Sequence, residues 1–368
     1  MGALKTTVLT EYEVELGAKM TPRGGWNTAL YYSEGIIAEH LHTRSACSVF
    51  DLCSDGKFRV AGEGAAAMLD ALYMRPSADL AVGRARRNLL LSDSGGVIDC
   101  PLVLRMAETD FLVLSGAETA VAEFTRLSAA AGERAEVQDL SQYLACLGLE
   151  GPVAEEALNT LGIDALPEYG CCKTLEIDGF RAIVVHAGST GEDGFRLLFN
   201  VEYVDQLWDL LLETDPVMPA GFGALDSLRL EVGNPACGHE LTPEFSPFDS
   251  GLGSLVRLDD GREFAGKAAL LAAKPAHALI GLVLETRRAA REGVLVLNEK
   301  EEIVGKVTSG SFCPTLEASV SLCRIDLECL PGVGEKLFCE VIDARLPGVI
   351  SGLPFYSEGS AKGEFFLP

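Results

Sequence analysis

Two successive stretches of the chain share one alternation of predicted strands and helices. In the first stretch, strands, helices and a hairpin follow one another at Lys57–Ala61, Gly64–Tyr73, Leu90–Leu104, Phe111–Leu114, Glu118–Ala131 and Ala135–Val137. The second stretch, from Leu144 to Gly233, repeats this alternation. Strand–helix–strand–strand–helix–strand is the order of the split βαβ, or ferredoxin-like, unit. The sequence therefore predicts an α+β fold that contains two such units.

The last hundred residues have a different pattern. A short helix at Phe264–Leu270 leads into a linker, and five short β-runs follow at Ile280–Glu285, Gly293–Leu297, Ile303–Thr308, Val320–Ile325 and Leu337–Val341. Short strands at this spacing are typical of a small β-barrel or sandwich. With 368 residues the chain is too long for one ordinary core, so we expect two or three domains.

A hairpin signal in the first stretch carries an isolated acidic residue. Two apolar runs flank Asp93–Gly96, where glycine supplies the positive φ of a tight turn. Asp99 lies in the second run, among residues that are expected to be buried. Burial of a carboxylate costs roughly several kcal/mol of desolvation free energy, so a carboxylate is seldom buried without a partner or a function. Asp99 is therefore a candidate site residue.

Composition excludes several classes of function. The net charge of −24 argues against nucleic acid as a partner, because binding to phosphates requires a basic surface. No apolar run approaches the roughly 20 residues of a membrane helix, and the first residues do not resemble a signal peptide. The 11 cysteines are odd in number and form no CxxC pair, which predicts reduced thiols, a cytoplasmic location and no metal site. His40 and His42, two apart on a predicted helix, are expected to be surface residues.

Seven motifs follow one another along nearly the whole chain. They are Leu16–Met20, Gly25-Trp26, Phe50-Asp51, Gly95–Asp99, Gly188 with Thr190–Phe195, Arg229–Glu231 and Thr308–Leu316. The last, Thr-Ser-Gly-Ser-Phe-Cys-Pro-Thr-Leu, is the most specific. In identity and order these motifs resemble those of the glycine cleavage system T-protein (aminomethyltransferase) family.

The resemblance implies three domains around a folate pocket. Residues 1–56 and 142–262 would form a first ferredoxin-like domain, residues 57–141 a second one inserted in it, and residues 263–368 a linker helix with a C-terminal antiparallel β-barrel. Proteins of the family take an aminomethyl group from the lipoyl arm of the H-protein, release ammonia and form methylenetetrahydrofolate. A carboxylate in their pocket holds the folate amine and stabilises the positive charge that develops during transfer.

This chain departs from the family pattern at the catalytic position. The second aspartate of the family's GGIIDD motif is Cys100 here, and the neighbouring Asp99 is expected to face the opposite side of the strand. A thiol of ordinary pKa is mostly neutral at pH 7 and does not replace a carboxylate. Carried over by resemblance, the catalytic candidates are Cys100 and Asp99. The folate-binding candidates are Asp55, Arg87, Leu102, Leu104, Ser189, Glu192, Arg196 and Arg229.

Two of these departures place a positive charge where the family has a neutral or a negative side chain. Arg87 aligns with a tyrosine of the family and Arg196 with a glutamate. If both arginines face one cavity, they would favour an anionic ligand, with Asp55 as a counterion. That convergence follows from the family alignment, and spacing alone does not show it.

Three functions follow from these observations. The first is tetrahydrofolate-linked one-carbon transfer with an altered active site, with the lipoyl H-protein as a partner. The alternative is a non-catalytic binding or regulatory homologue that uses the same pocket for another anionic metabolite. The third is the folate-binding paralogue that serves iron–sulfur proteins. That paralogue's KGCYxGQE motif is missing, and Gly261–Lys267 resembles the aminomethyltransferase version.

Overall fold

The computed structural model describes residues 3–163 and 165–363. These fall into two compact units: the described residues of 1–90, 99–225 and 359–368 form the first, and those of 91–98 and 226–358 the second. Within the described residues, no helix is long and apolar enough to cross a membrane.

The first unit begins with a small sheet and two helices. Its elements are β1 (Lys5–Thr6), α1 (Thr10–Glu15), β2 (Lys19–Arg23), β3 (Trp26–Tyr31) and α2 (Gly35–Ser45). The sheet has the order β1-β3-β2, so β2 is an edge strand. Gly24 and Gly25, both at positive φ, form the turn between β2 and β3.

A five-stranded sheet follows β4 (Cys47–Asp51) in the chain. Its elements are β5 (Gly56–Ala61), α3 (Ala65–Leu72), β6 (Ala85–Arg87), β9 (Leu102–Ala107), β10 (Asp110–Ser115), α4 (Ala120–Ala130) and β11 (Glu136–Asp139), with β7 (Leu90–Leu91) and β8 (Val97–Asp99) as a separate hairpin. The order β11-β5-β10-β9-β6 contains the ferredoxin-like arrangement. Helix α3 buries Ala65, Met68, Leu69 and Leu72, a spacing that places four side chains on one face.

A six-stranded sheet completes the first unit. It contains β12 (Leu144–Glu150), β13 (Cys172–Ile177), β14 (Phe180–His186), β15 (Gly194–Asn200) and β16 (Val217–Pro219), with helices α5 (Ala154–Thr160) and α6 (Val204–Leu212). The order is β13-β14-β15-β12-β4-β16, so β4 pairs with two strands that come much later in the chain. Trp208, Leu207 and Leu211 of α6 pack into the core of this sheet. Helix α7 (Phe222–Glu231) follows.

The second unit contains a closed barrel. After α8 (Lys267–Ala272) come β17 (His277–Leu284), β18 (Leu295–Leu297), β19 (Ile303–Cys313), β20 (Ala318–Asp326), β21 (Lys336–Val341) and β22 (Ala344–Ser351). They close in the order β17-β20-β19-β18-β21-β22 around a core that includes Leu282, Val296 and Val307. The predicted fold class is confirmed: two ferredoxin-like units, one inserted in the chain of the other, and an antiparallel barrel. The exact boundaries at 56, 141 and 262 stay a prediction.

Pro22 lies in β2, where an edge strand tolerates a residue without an N–H. Two local expectations differ from the structure. The barrel has a sixth strand, β22, which contains Pro347. The surface assignment of His40 was wrong, since its side chain is fully buried. Helix α2 turns the polar residues Glu39, His40 and Thr43 inward, and Ile37 stays exposed.

Candidate active site

Asp99, at the end of β8, lies in a buried network of hydrogen bonds. Ser115 Oγ donates to its Oδ2 at 2.5 Å, and Thr119 Oγ1 donates to its Oδ1 at 2.6 Å. The backbone N–H of Cys100 donates to Oδ1 as well, at 2.7 Å. Only 1 % of Asp99 is exposed. Both carboxylate oxygens are therefore engaged inside the protein, where they connect β8 with the start of α4.

A second buried carboxyl group joins this network. Glu123, in the first turn of α4, accepts a hydrogen bond from the hydroxyl of Tyr73 and is exposed to the charge of Asp99. Burial raises the pKa of Glu123 well above its ordinary value, and the negative charge of Asp99 raises it further. Burial also raises the pKa of Asp99, against the hydrogen bonds from Ser115 and Thr119. Two adjacent buried carboxyl groups share a proton more readily than they both ionise, and the raised pKa of Glu123 favours Glu123 as the carrier of that proton.

Arg87 and Cys100 meet where β6 pairs with β9. Arg87 lies opposite Leu102 in that ladder, and its Nη1 donates to the carbonyl oxygen of Cys100 at 3.3 Å. Cys100 itself lies between β8 and β9, outside either strand. Burial lowers the pKa of Arg87, and the positive charge of Arg196 lowers it further. Arg87 therefore contacts Cys100, and it lies within electrostatic range of Arg196 in the first unit.

Arg196 projects from β15, between β12 and β14. Its Nη1 lies 3.9 Å from Asp55 Oδ2, and only 9 % of the residue is exposed. Asp55 Oδ1 lies 3.7 Å from Arg23 Nη1 and accepts a hydrogen bond from the backbone N–H of Ala117 at 3.2 Å. Asp55 is thus flanked by two guanidinium groups. We call Arg23, Asp55, Arg87 and Arg196 the arginine cluster.

The two leucine candidates belong to the core of the inserted sheet. Leu102 is 3 % exposed and lies opposite Arg87, while Leu104 is fully buried opposite Ala85. Paired residues of neighbouring strands project from the same face of a sheet, so Leu102 and Arg87 lie on a common face. A direct role of either leucine in binding stays a prediction.

Ser189 and Glu192 hold the glycine-rich loop between β14 and β15. The hydroxyl and the backbone N–H of Ser189 donate to the carboxylate of Glu150 at 3.0 and 2.9 Å. Glu192 Oε1 accepts from Arg44 at 3.0 Å, and its Oε2 accepts from the backbone N–H and the hydroxyl of Ser360 at 2.8 and 2.6 Å. These contacts fix the loop and bring the stretch after the barrel back to it.

Arg229 belongs to the second unit and is paired there. Its guanidinium contacts Asp226 Oδ1 at 2.8 Å and Glu240 Oε2 at 2.9 Å, and its Nη2 donates to Ser309 Oγ at 2.8 Å. Burial works to raise the pKa of Glu240, but the charge of Arg229 and hydrogen bonds hold that pKa below its ordinary value. Ser309 belongs to the Thr308–Leu316 motif, so the hydrogen bond from Arg229 to Ser309 connects two of the sequence motifs.

Two residues of the site were missed at the level of sequence. Arg23 contacts Asp55, and it stacks on Phe222 with its Cζ 4.6 Å from the ring centre. Tyr169 is close enough to Arg87 to affect its pKa, and its ring meets His186 edge-on at 5.5 Å. The available sequence signal for Arg23 was its position directly before the Gly24-Gly25 turn. Tyr169 lies in an irregular stretch with no motif that would have identified it.

The arginine cluster has electrostatics of the opposite sign to a catalytic carboxylate. A carboxylate stabilises a positive charge that develops in a transition state, whereas guanidinium groups stabilise a negative one. Arginine stays protonated in proteins, so these groups donate hydrogen bonds and act as fixed charges without taking part in acid–base exchange. The cluster can therefore bind and orient an anion, and Asp55 can accept hydrogen bonds from the N–H groups of a ligand.

Comparison with known proteins identifies the family. A family profile described as the GCVT N-terminal domain matches residues 9–260, and one described as the glycine cleavage T-protein C-terminal barrel domain matches residues 277–357. An aminomethyltransferase of Cutibacterium acnes is 35% identical over 373 residues, which cover 97% of this chain and 99% of that protein. An aminomethyltransferase of Geobacillus kaustophilus is 34% identical, over 96% of this chain and 99% of its own length.

A solved structure agrees with these sequence comparisons. The crystal structure of the glycine cleavage system aminomethyltransferase T from Bartonella henselae superposes with a TM-score of 0.91 at 29% identity, over 98% of this chain and 100% of that one. The resemblance inferred from the seven motifs is thereby confirmed: the chain belongs to the glycine cleavage T-protein, or aminomethyltransferase, family.

Proposed function

We propose that this chain is a tetrahydrofolate-linked one-carbon transferase of the T-protein type whose active site is altered at Cys100. The supporting observation is the full-length agreement with aminomethyltransferases, in both domains and with a TM-score of 0.91. Glu192, which holds the glycine loop, and Arg229, which contacts Ser309, lie in motifs that resemble those of the family. The eleven cysteines are free thiols, consistent with a reducing cytoplasm.

The residues in the first unit are compatible with a reduced pterin. Asp55 supplies a carboxylate that can accept from the pterin N–H groups, and the arginines can donate to its oxygen. Arg196 Nε is buried and has no hydrogen-bond partner among the described residues, so it is one unused donor. When bound, tetrahydrofolate supplies the nitrogen that accepts the one-carbon unit. The chain's own groups would hold and orient it.

The transfer step should be slow in this protein. The family places a carboxylate where Cys100 stands, and neither oxygen of Asp99 is available in its place, because Ser115, Thr119 and the Cys100 N–H occupy them. Loss of one preorganised electrostatic group typically costs about 10²–10³ in kcat. A carboxylate reintroduced at position 100 would also lie beside Arg87, whose Nη1 reaches the Cys100 carbonyl.

The test measures tetrahydrofolate binding and turnover separately. We expect calorimetry to detect tetrahydrofolate, and tetrahydrofolate-dependent ammonia release from aminomethyl-loaded lipoyl H-protein to rise at least about tenfold in Cys100→Asp. Cys100→Ser is the matched control, because it changes size little and adds no charge. No binding at millimolar tetrahydrofolate would reject the proposal. Equal rates for the Asp and Ser variants would reject the role of position 100.

A second candidate function is a non-catalytic binding or regulatory homologue. It is favoured by one observation: the carboxylate of Asp99 is committed to the protein's own hydrogen bonds, and the nearby charges at Arg87 and Arg196 are positive. This candidate expects ligand binding without turnover in the wild type and in Cys100→Asp. Folate-dependent demethylation or deamination of any donor, abolished by Cys100→Ala, would exclude it.

A further inference from the structure

We infer that residues 359–363 form a strap that fastens the glycine loop, residues 188–194, through Glu192, and that release of this strap controls how fast the folate ligand leaves. The ligand is the one named in the proposed function, so the second half of the inference rests on that proposal. The first half rests on hydrogen bonds and close approaches within the first unit, to which both segments belong.

Four hydrogen bonds join the strap to the glycine loop. The backbone N–H and the hydroxyl of Ser360 both donate to Glu192 Oε2, at 2.8 and 2.6 Å. The hydroxyl of Ser360 also accepts from the backbone N–H of Asp193 at 3.0 Å. The N–H of Ala361 donates to the carbonyl oxygen of Gly191 at 3.1 Å. Hydrogen bonds to a carboxylate are stronger than neutral ones, so the two bonds to Glu192 are the main attachment of the strap.

The carboxylate of Glu192 is engaged at both oxygens. Its Oε1 accepts from Arg44 Nη1 at 3.0 Å, and its Oε2 accepts the two bonds from Ser360. Only 3 % of Glu192 is exposed. Glu192 is a folate-binding candidate by resemblance, but here its oxygens bind the chain's own strap. It is therefore a positioning residue, which acts on the ligand through the loop.

Two glycines let the backbone of the strap lie directly on its neighbours. A Cβ added at Gly359 would lie 2.0 Å from the carbonyl oxygen of Gly191. A Cβ added at Gly363 would lie 2.3 Å from Cε1 of the Tyr169 ring. A side chain does not fit at either position, because these separations are far shorter than van der Waals contact. The strap thus extends from the glycine loop to Tyr169.

The composition of the strap allows it to open. Its sequence is Gly-Ser-Ala-Lys-Gly, which contains no large apolar side chain, and both Ala361 and Lys362 are exposed. Release therefore exposes little apolar surface, and the lost hydrogen bonds are offset by the conformational entropy that five ordered residues regain. A segment of this kind opens locally while the strands around it stay folded.

Both ends of the glycine loop are fixed independently of the strap. Buried Glu150 accepts hydrogen bonds from the backbone N–H groups of Ser189 and Thr190, at 2.9 Å each. At the other end, Asp193 Oδ1 lies 2.5 Å from His186 Nε2. Loss of the strap therefore loosens the middle of the loop and leaves its two ends in place.

The loosened stretch leads into the candidate site. Arg196, on β15, comes two residues after the loop, and its Nη1 lies 3.9 Å from Asp55 Oδ2. Asp55 is the carboxylate that accepts from the pterin N–H groups in the proposed function. The strap thus supports one side of that site, and a ligand leaves faster when the support is open, as with other mobile segments that close over a site.

The first experiment measures the strap alone, in the full-length protein. Gly359→Ala places a methyl group against the Gly191 carbonyl oxygen, and Gly352→Ala, whose Cβ has nothing within 4 Å, is the matched control. We expect amide hydrogen exchange in residues 188–194 and 359–363 to be at least about tenfold faster in Gly359→Ala and unchanged in Gly352→Ala. Wild-type exchange rates in Gly359→Ala would overturn the strap.

The second experiment measures the ligand. We expect tetrahydrofolate to dissociate at least about tenfold faster from Gly359→Ala than from the wild type and Gly352→Ala, in a stopped-flow chase. If the strap only supports the fold, Gly359→Ala lowers the midpoint of urea unfolding without changing the dissociation rate, and that result would reject control of the ligand.

A second variant and the wild type separate the remaining outcomes. Ser360→Ala removes the hydroxyl but keeps the backbone, and it should raise both rates if Gly359→Ala folds poorly by circular dichroism. Wild-type rates in Ser360→Ala would then reject the inference. A wild type that binds no tetrahydrofolate rejects the proposed function and the control of its ligand, whereas the exchange rates still decide whether the strap exists.

Discussion

Replacing Glu123 by glutamine tests whether the buried carboxyl pair carries a proton. Glu123 accepts a hydrogen bond from Tyr73, its pKa is affected by the charge of Asp99, and it has no exposed surface. If Glu123 is protonated in the folded protein, glutamine reproduces its shape and its donor. The substitution should then be neutral or stabilising at pH 7, in contrast to the loss that usually follows from removing a buried charge.

The magnitude follows from the raised pKa. The unfolded chain releases the Glu123 proton near pH 4.5, the ordinary value, whereas the folded protein retains it. Above pH 4.5 the folded state therefore binds more protons, and stability falls by about 1.4 kcal/mol per pH unit until the raised pKa is passed. Over the 2.5 units to pH 7, retention of the proton costs up to about 3.4 kcal/mol, which Glu123→Gln should recover.

Urea unfolding at pH 5, 6, 7 and 8 measures this difference. We expect the gain in unfolding free energy of Glu123→Gln over the wild type to grow from pH 5 to pH 7. Glu63→Gln, at the exposed pair with Arg134, should change stability by less than about 0.5 kcal/mol at each pH. A loss of more than about 1 kcal/mol in Glu123→Gln at pH 7 would mean that the group is ionised and that the shared proton is wrong.

Two further predictions concern the second unit. Arg229→Gln should destabilise the protein by about 3–5 kcal/mol in urea, because it leaves the buried Glu240 carboxylate without its counterion; a change under about 1 kcal/mol would contradict this. The pKa of Glu240 is lowered in the folded protein, so the Arg229–Glu240 pair stabilises the protein at pH values above the ordinary pKa of glutamate. This stabilisation should disappear as the pH falls through the lowered pKa. Unfolding of Arg229→Gln, followed as a function of acid pH, should show no such loss. Gly310→Ala should cost about 3 kcal/mol, because a Cβ there would lie 1.9 Å from the Ala290 carbonyl oxygen, whereas Gly352→Ala, with nothing within 4 Å of its Cβ, should be close to neutral in the same assay.

Local pattern was sufficient for most elements of the fold. Apolar runs predicted the core strands, and a segment rich in Ala, Leu and Met at Gly64–Tyr73 predicted α3. Prediction from local pattern failed where a strand contains proline or where a helix buries polar side chains. Pro22 and Pro347 lie inside β2 and β22, and proline argues against a strand unless the pairing partner is known. Helix α2 buries polar residues, which apolar periodicity cannot detect.

The candidate site was less accessible from sequence, because its residues are far apart in the chain. Arg87 and Arg196 come from two sheets, and only the alignment with the family suggested that they face each other. The positive charge of Arg196 lowers the pKa of Arg87, which supports that prediction. The partners of Asp99 had no sequence signal, since Ser115 and Thr119 are ordinary residues at the end of a strand and the start of a helix. The reversal of charge at Arg196 relative to the family pattern was visible in the sequence. The contact between Arg23 and Asp55 was not.

Strand β4 has a consequence for how the chain is made. Its neighbours β12 and β16 are both synthesised after the inserted sheet, so a ribosome exposes Cys47–Asp51 long before either partner exists. The five strands of the inserted sheet lie within 56–139 and can pair as they emerge. A nascent chain that has just passed residue 141 therefore combines a complete insert with an apolar, unpaired strand. That interval is when the chain is most exposed to wrong pairing and most in need of a chaperone.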